Sequence, residues 1–197
     1  VNHKASGGFL RIDYKTLEQL DPIVVQSGKR GGDFSVMSLD IDTEGGTLVT
    51  VSMLSDEAAV VTLATGETKV FPLPGARSAS GVAFDAKDGL IFVASQQTDN
   101  LLIANTSGEV LHDVEVGAGA LNVAFDPVNR LAYVANRGAG TITVVDTDGK
   151  IVANLDAGSM PNQLRADGKG NIYAVNKSRG ENDPVGDRIW RITPATH

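Results

Sequence analysis

Apolar and polar positions alternate along this chain in short runs, and the runs recur at a regular spacing. Four segments align on an aspartate: SLDID (38–42), GVAFD (81–85), NVAFD (122–126) and QLRAD (163–167). Their last residues, Asp42, Asp85, Asp126 and Asp167, lie 43, 41 and 41 positions apart. Nine or ten residues later an apolar run ends in Ser or Asn: TLVTVS at Ser52, LIFVAS at Ser95, LAYVAN at Asn136 and NIYAVN at Asn176. AVVTL (59–63), NLLIAN (100–105), TITVVD (141–146) and RIWRIT (188–193) come next, and runs such as TKVFPL (68–73) and KIVANL (150–155) follow a further turn. Short runs rich in Val, Ile, Leu and Thr, separated by Gly, Asp and Asn, predict strands joined by tight turns. Tyr14 to Leu20 alone has a helical look, and it is too short to hold a helix by itself.

Four strands in about 41 residues, repeated, predict the blades of a β-propeller. With the strands of a blade labelled a to d from the inside outward, Asn2 aligns with Asn136, Phe9 to Asp13 with strand c, and Glu18 to Val25 with strand d. The last segment ends after strand c at Thr193. The expectation is an all-β propeller of four-stranded antiparallel blades, about four to five of them. Residues 1–33 form a partial blade, 34–77, 78–118 and 119–159 full blades, and 160–197 a blade lacking its outer strand, 17 strands together. A ring left open exposes two apolar blade faces. The pattern therefore predicts closure by residues upstream of Val1, or by a second chain.

Composition narrows the chemistry. Zero Cys removes disulfides, Cys-ligated zinc, iron–sulfur clusters and thiol catalysis. No apolar run approaches the roughly 20 residues of a membrane-spanning helix, so no membrane insertion is predicted. Seventeen Lys and Arg against 24 Asp and Glu give a net charge of −7, which opposes a broad nucleic-acid footprint. The three histidines, His3, His112 and His197, form no HExxH motif or helical pair. No P-loop motif occurs, and no cofactor is called for. Asp40-x-Asp42-x-Glu44-Gly45 resembles the front of a calcium loop, but Val51 stands where the bidentate Glu belongs. The in-register aspartates read instead as caps of the a–b turns.

Propeller geometry sorts charge by face. The a–b and c–d turns are net acidic. The b–c and d–a loops, here called the top face, carry Lys4, Lys29, Arg30, Arg77, Arg137, Lys177 and Arg179 against seven acids, Asp33, Asp56, Glu57, Asp99, Glu181, Asp183 and Asp187. Arg137 and Lys177 directly follow the Asn that ends strand b, and Lys4 lies two past Asn2. These seven cations are the candidate ligand-binding residues. Gly28 to Gly32 joins glycines to Lys29 and Arg30, an arrangement that holds an anion or simply forms a flexible, solvated loop. The leading reading is a non-enzymatic scaffold holding a protein partner or an anionic small ligand. One alternative is a single-stranded nucleic-acid binder using the basic rim. Another is a metal-dependent, lactonase-like hydrolase using the top-face acids Asp56, Glu57, Asp99, Glu181 and Asp183. Strand alternation places Trp190 with Arg188 and Ile192, on the side expected to pack between blades.

LAYVANRGAGTITVVDTDGK (131–150), with Tyr133-Val134-Ala135-Asn136 and Tyr173-Ala174-Val175-Asn176, resembles the YVTN β-propeller repeat. MPNQLRADGKGNIYAVNKS (160–178) followed by DRIWRIT (187–193), with the polar insert Arg179 to Asp187 between strands, is similar to the end of the YncE-type periplasmic propellers. The resemblance implies a seven-bladed ring, of which this chain is the C-terminal portion. It also implies export to the periplasm, and brings no agreed enzymatic activity.

Overall fold

The computed structural model describes residues 2–3 and 7–194, folded as five antiparallel sheets that follow one another in chain order. Blade I holds β1 (Asn2–His3), β2 (Gly8–Ile12) and β3 (Gln19–Val24). Blade II holds β4 (Val36–Asp42), β5 (Thr47–Ser52), β6 (Glu57–Thr62) and β7 (Thr68–Pro72). Blade III holds β8 (Ala79–Asp85), β9 (Leu90–Ser95), β10 (Asn100–Asn105) and β11 (Val110–Glu115). Blade IV holds β12 (Ala120–Asp126), β13 (Leu131–Asn136), β14 (Thr141–Asp146) and β15 (Ile151–Asp156). Blade V holds β16 (Met160–Ala166), β17 (Ile172–Lys177) and β18 (Arg188–Ile192). The described residues thus give 18 strands rather than 17. The extra one is β1, whose Asn2 and His3 pair with Phe9 and Gly8. Tyr14 to Leu20 is no helix: Asp13 accepts the amides of Lys15 and Thr16, and Leu17 at φ 60° reverses the chain.

The inner strands β4, β8, β12 and β16 stand side by side around a channel. Polar side chains bridge them from blade to blade. Asp40 accepts the Phe84 amide at 2.9 Å, the Ser80 hydroxyl donates to the Leu121 carbonyl at 2.9 Å, and Asn122 accepts the Leu164 amide at 2.8 Å. Apolar faces stack behind them, with the Phe92 and Phe125 rings 4.9 Å apart between blades III and IV. Strands β9 and β13 are covered on both faces, so nearly every residue in them is buried. In β17 only alternate residues are buried: Ile172, Ala174 and Asn176 face blade IV, whereas Tyr173, Val175 and Lys177 are exposed.

On the lower face the aspartates cap their turns. Asp42, Asp85, Asp126 and Asp167 each accept a backbone amide two residues ahead. Four residues after the aspartate the turn needs a left-handed backbone, and Gly46 and Gly89 supply it. Arg130 takes the same place at φ 60°, which is costly for a residue with a Cβ. Its guanidinium reaches back to blade III. It binds both oxygens of buried Asp85, at 2.6 and 2.5 Å, and covers Phe125 at 5.1 Å. A bidentate, charge-assisted pair offsets the backbone strain.

The top face is held by the residue that ends strand b. Ser52, Ser95, Asn136 and Asn176 are fully buried, and each grips the incoming d–a loop. Ser52 accepts the Ser35 amide at 3.0 Å, and Ser95 accepts the Arg77 amide at 2.7 Å while donating to its carbonyl at 2.8 Å. Asn136 donates to the Gly117 carbonyl and accepts its amide, together with the hydroxyls of Thr141 and Thr143. Asn176 accepts the Met160 amide at 2.7 Å and donates to the Val185 carbonyl at 2.5 Å. The longer Asn needs room: a Cβ on Gly117 would lie 2.7 Å from the Asn136 carboxamide, and one on Gly158 would lie 2.5 Å from the Asn176 amide nitrogen. The insert 178–187 is pinned in turn. Asp183 accepts the amides of Arg179 and Val185 at 2.9 and 3.0 Å, and Arg179 donates to the carbonyls of Ser159 and Gly138 at 2.9 and 3.3 Å. Hydrogen bonds from Ser159 and the Arg179 amide hold the Asp183 carboxyl down at about 2.

Gly117→Ala is expected to destabilise the protein by about 1–3 kcal/mol in denaturant unfolding. Asn136→Ser added to it should restore part of that loss by removing the colliding atoms. Additive effects of the two substitutions would contradict the latch. The Asp183 anchor is complete above the ordinary carboxyl range near 3.8 and is lost as pH falls through about 2. Emission from Trp190, the single tryptophan, should therefore change across that window, and Asp183→Asn should flatten the change.

Candidate ligand site on the top face

Equivalent positions of three neighbouring blades converge on one depression of about 540 Å³. Gln96 of blade III stands in register with Arg137 of blade IV, 41 positions on. Gly119 is likewise in register with Met160, and Gln97 with Gly138. Together with Arg179 these seven residues line it. The floor is bare backbone. Gly119 and Gly138 cross so closely that a Cβ on Gly119 would sit 2.8 Å from the Gly138 nitrogen. The amides of Arg137 and Gly138 donate to the carbonyls of Gly119 and Ala118, at 3.0 and 2.9 Å, and lock the crossing. Asp99 tightens it by accepting the Gly119 amide at 2.7 Å.

The two guanidiniums differ. Arg179 already has two carbonyl partners and fixes the insert in place. Arg137 is half-buried, and its guanidinium makes no hydrogen bond or ion pair among the described residues. A half-buried cation without a partner is the open valence of the site. Arg179 also borders a second depression of about 440 Å³, lined by Ala139, Gly140, Asp156, Gly158, Ser159, Val185 and Trp190. Trp190 faces blade IV, is 38% exposed because its strand lies at the sheet edge, and has Arg188 6.0 Å from its ring centre.

The other five candidate cations lie elsewhere. Lys4 is outside the described residues. Lys29 and Arg30 line a separate hollow formed by residues 26–35, where the Lys29 ammonium is bound to the Ser55 carbonyl. The Gly28 amide there is occupied by Glu57, a buried carboxylate that also accepts the Ser27 hydroxyl at 2.6 Å and sets negative charge beneath the loop. Arg77 is exposed, and its main chain is clamped by Ser95. Lys177 points with Tyr173 and Val175 to the outward side of blade V, away from Arg137. The acids have structural tasks as well: Asp56 accepts the Ala79 amide at 3.2 Å and Asp187 accepts the Ser178 amide at 3.1 Å. Among the described residues no three His, Asp or Glu side chains converge as a metal site. His112, half-buried on outer strand β11, lies against Gly149.

Charge sorting finds Arg137 and Arg179 but passes over Gln96, Gln97 and Met160. Carrying the repeat register across blades would have found them.

No protein-family model matches the sequence, and no curated protein sequence is similar to it. Solved structures resemble the fold. A streptogramin B lyase superposes with a TM-score of 0.72 at 12% identity, over 99% of this chain and 64% of its own. Kuenenia stuttgartiensis hydrazine synthase gives 0.70 at 15% identity, over 80% of this chain and 46% of its own. A nidogen/laminin complex gives 0.61 at 22% identity, over 72% of this chain and 56% of that one. The chain spans less than two thirds of the length of each. At these identities the likeness establishes the fold, a β-propeller with about four to five blades.

Proposed function

We propose that this chain is the ligand-holding part of a YVTN-type binding propeller, and that its top face captures an anionic group of a small ligand or a protein partner between Arg137 and Arg179. The observation that carries this reading is the half-buried Arg137 guanidinium, which lacks a partner at the edge of an open depression while Arg179 is held beside it. A cation taken partly out of water gains most from an incoming anion. A nidogen/laminin complex among the structural relatives gives a propeller-type precedent for a protein ligand. The resemblance to the YncE-type propellers adds a seven-bladed parent and a periplasmic location to the proposal.

The nucleic-acid alternative asks for aromatic platforms beside the cations. Beside Arg137 and Arg179 that support is limited to Trp190, whose ring is turned toward blade IV, while exposed Tyr173 pairs with Arg165 and Arg191 on the other side of blade V. The lyases among the structural relatives keep an enzymatic role open. Catalysis of a lactonase kind would draw on Asp56, Glu57, Asp99, Glu181 and Asp183; Asp56 and Asp99 are each already bound to the next blade's backbone, Glu57 to Ser27 and Gly28, and Asp183 to the insert.

A thermal-shift panel of dicarboxylates, phosphate and a short oligonucleotide tests the reading. At least one anion should raise the melting temperature in a saturable, salt-sensitive way. Arg137→Ala should abolish the shift and leave the unliganded melting temperature within a degree or two. An equal shift in the variant would overturn the assignment.

A further inference from the structure

The two depressions are one groove. They share Arg179, and the backbone of 138–140 forms the sill between them. The halves differ in chemistry: the first offers two guanidiniums, two carboxamides and Met160, the second the apolar surfaces of Ala139, Val185 and Trp190 with Ser159 and the Asp156 carboxylate at their side.

The lining of the first half bears on its ligand. Many phosphate sites are built from convergent backbone N–H groups. Here every one of the seven lining residues has its amide committed. Those of Gln96 and Gln97 donate to the carbonyls of Ser78 and Arg77, and that of Gly119 to Asp99. Those of Arg137 and Gly138 donate across the crossing, that of Met160 to Asn176 and that of Arg179 to Asp183. Recognition is left to side chains alone, in planar guanidinium and carboxamide geometry, which suits a carboxylate.

Resting on the function proposed above, we infer that the groove holds an extended acidic peptide segment of a protein partner. A Glu or Asp carboxylate lies between Arg137 and Arg179, and a nearby aliphatic or aromatic side chain rests against Trp190 and Val185. Side chains two apart in an extended peptide fall on one side, roughly 7 Å apart, so acid and anchor can sit together in neighbouring hollows.

The 197-residue chain is titrated with the capped peptide acetyl-Gly-Ser-Glu-Gly-Leu-Ser-Gly-amide, with Trp190 emission as the readout. Saturable binding is expected. Replacing the peptide's Glu by Gln should weaken it about tenfold or more, and replacing its Leu by Ser several-fold. Arg137→Ala should lose binding, and Arg137→Lys should recover only part of it, because a point charge does not reproduce the fork. Inorganic phosphate or a thymidine oligonucleotide that binds through Arg137 more tightly than the peptide would overturn the inference and leave the broader anion-binding proposal standing. Failure of peptide, phosphate and oligonucleotide alike would overturn both.

Discussion

A buried hydrogen-bonding side chain at the end of each second strand holds this propeller's top face in shape. Blade-to-blade burial supplies most of the driving force, but apolar stacking is not directional. Where each d–a loop re-enters, the main chain would otherwise leave amides unpaired in a dry place, at a cost of about 1–3 kcal/mol each. Ser52, Ser95, Asn136 and Asn176 meet that requirement at four successive blades. The short hydroxyl and the long carboxamide do so at different reach. Asn requires glycine opposite, and Gly117 and Gly158 provide it.

That difference shapes the site. Where Asn136 draws Gly117 in, the loops 117–119 and 137–139 meet backbone to backbone, and the surface sinks. Arg137 emerges at the rim of this hollow because it follows the latch residue directly. Arg179 reaches the same place from the next blade, carried on an insert that Asp183 and Asn176 pin down. Structural hydrogen bonds thus use up the amides that line the hollow and the acids Asp56, Asp99, Asp183 and Asp187, and leave the Arg137 guanidinium at its rim without a partner among the described residues.

Much of this architecture was legible in the sequence. The register of Asp42, Asp85, Asp126 and Asp167 fixed the blades because a capping aspartate is a local, repeated necessity, and each proves to bond the amide two residues ahead. The alternation in RIWRIT put Trp190 on one side with Arg188 and Ile192, which is the side toward blade IV, but Trp190 stays exposed there instead of joining the core expected between blades. The site was only half legible. Charge marks Arg137 and Arg179, but it equally marks Lys29, which turns back onto Ser55, and Lys177, which turns outward because the residue before it is buried. Which cation is already satisfied depends on contacts between residues some 20 to 40 positions apart, and local pattern does not carry them. Gln96, Gln97 and Met160 are uncharged and belong to the site only through their register with neighbouring blades.

The latch makes a specific demand on the amides that lead into each inner strand. Native-state hydrogen exchange followed by NMR reads it directly at Ser35, Arg77, Gly117 and Met160. The account requires these four amides to be protected to the level of the neighbouring strand amides, because their acceptors are buried side chains or carbonyl-linked carboxamides. Exchange at the rate of ordinary exposed loop amides would mean that the top face is not held this way, and that the hollow between Arg137 and Arg179 has no fixed floor.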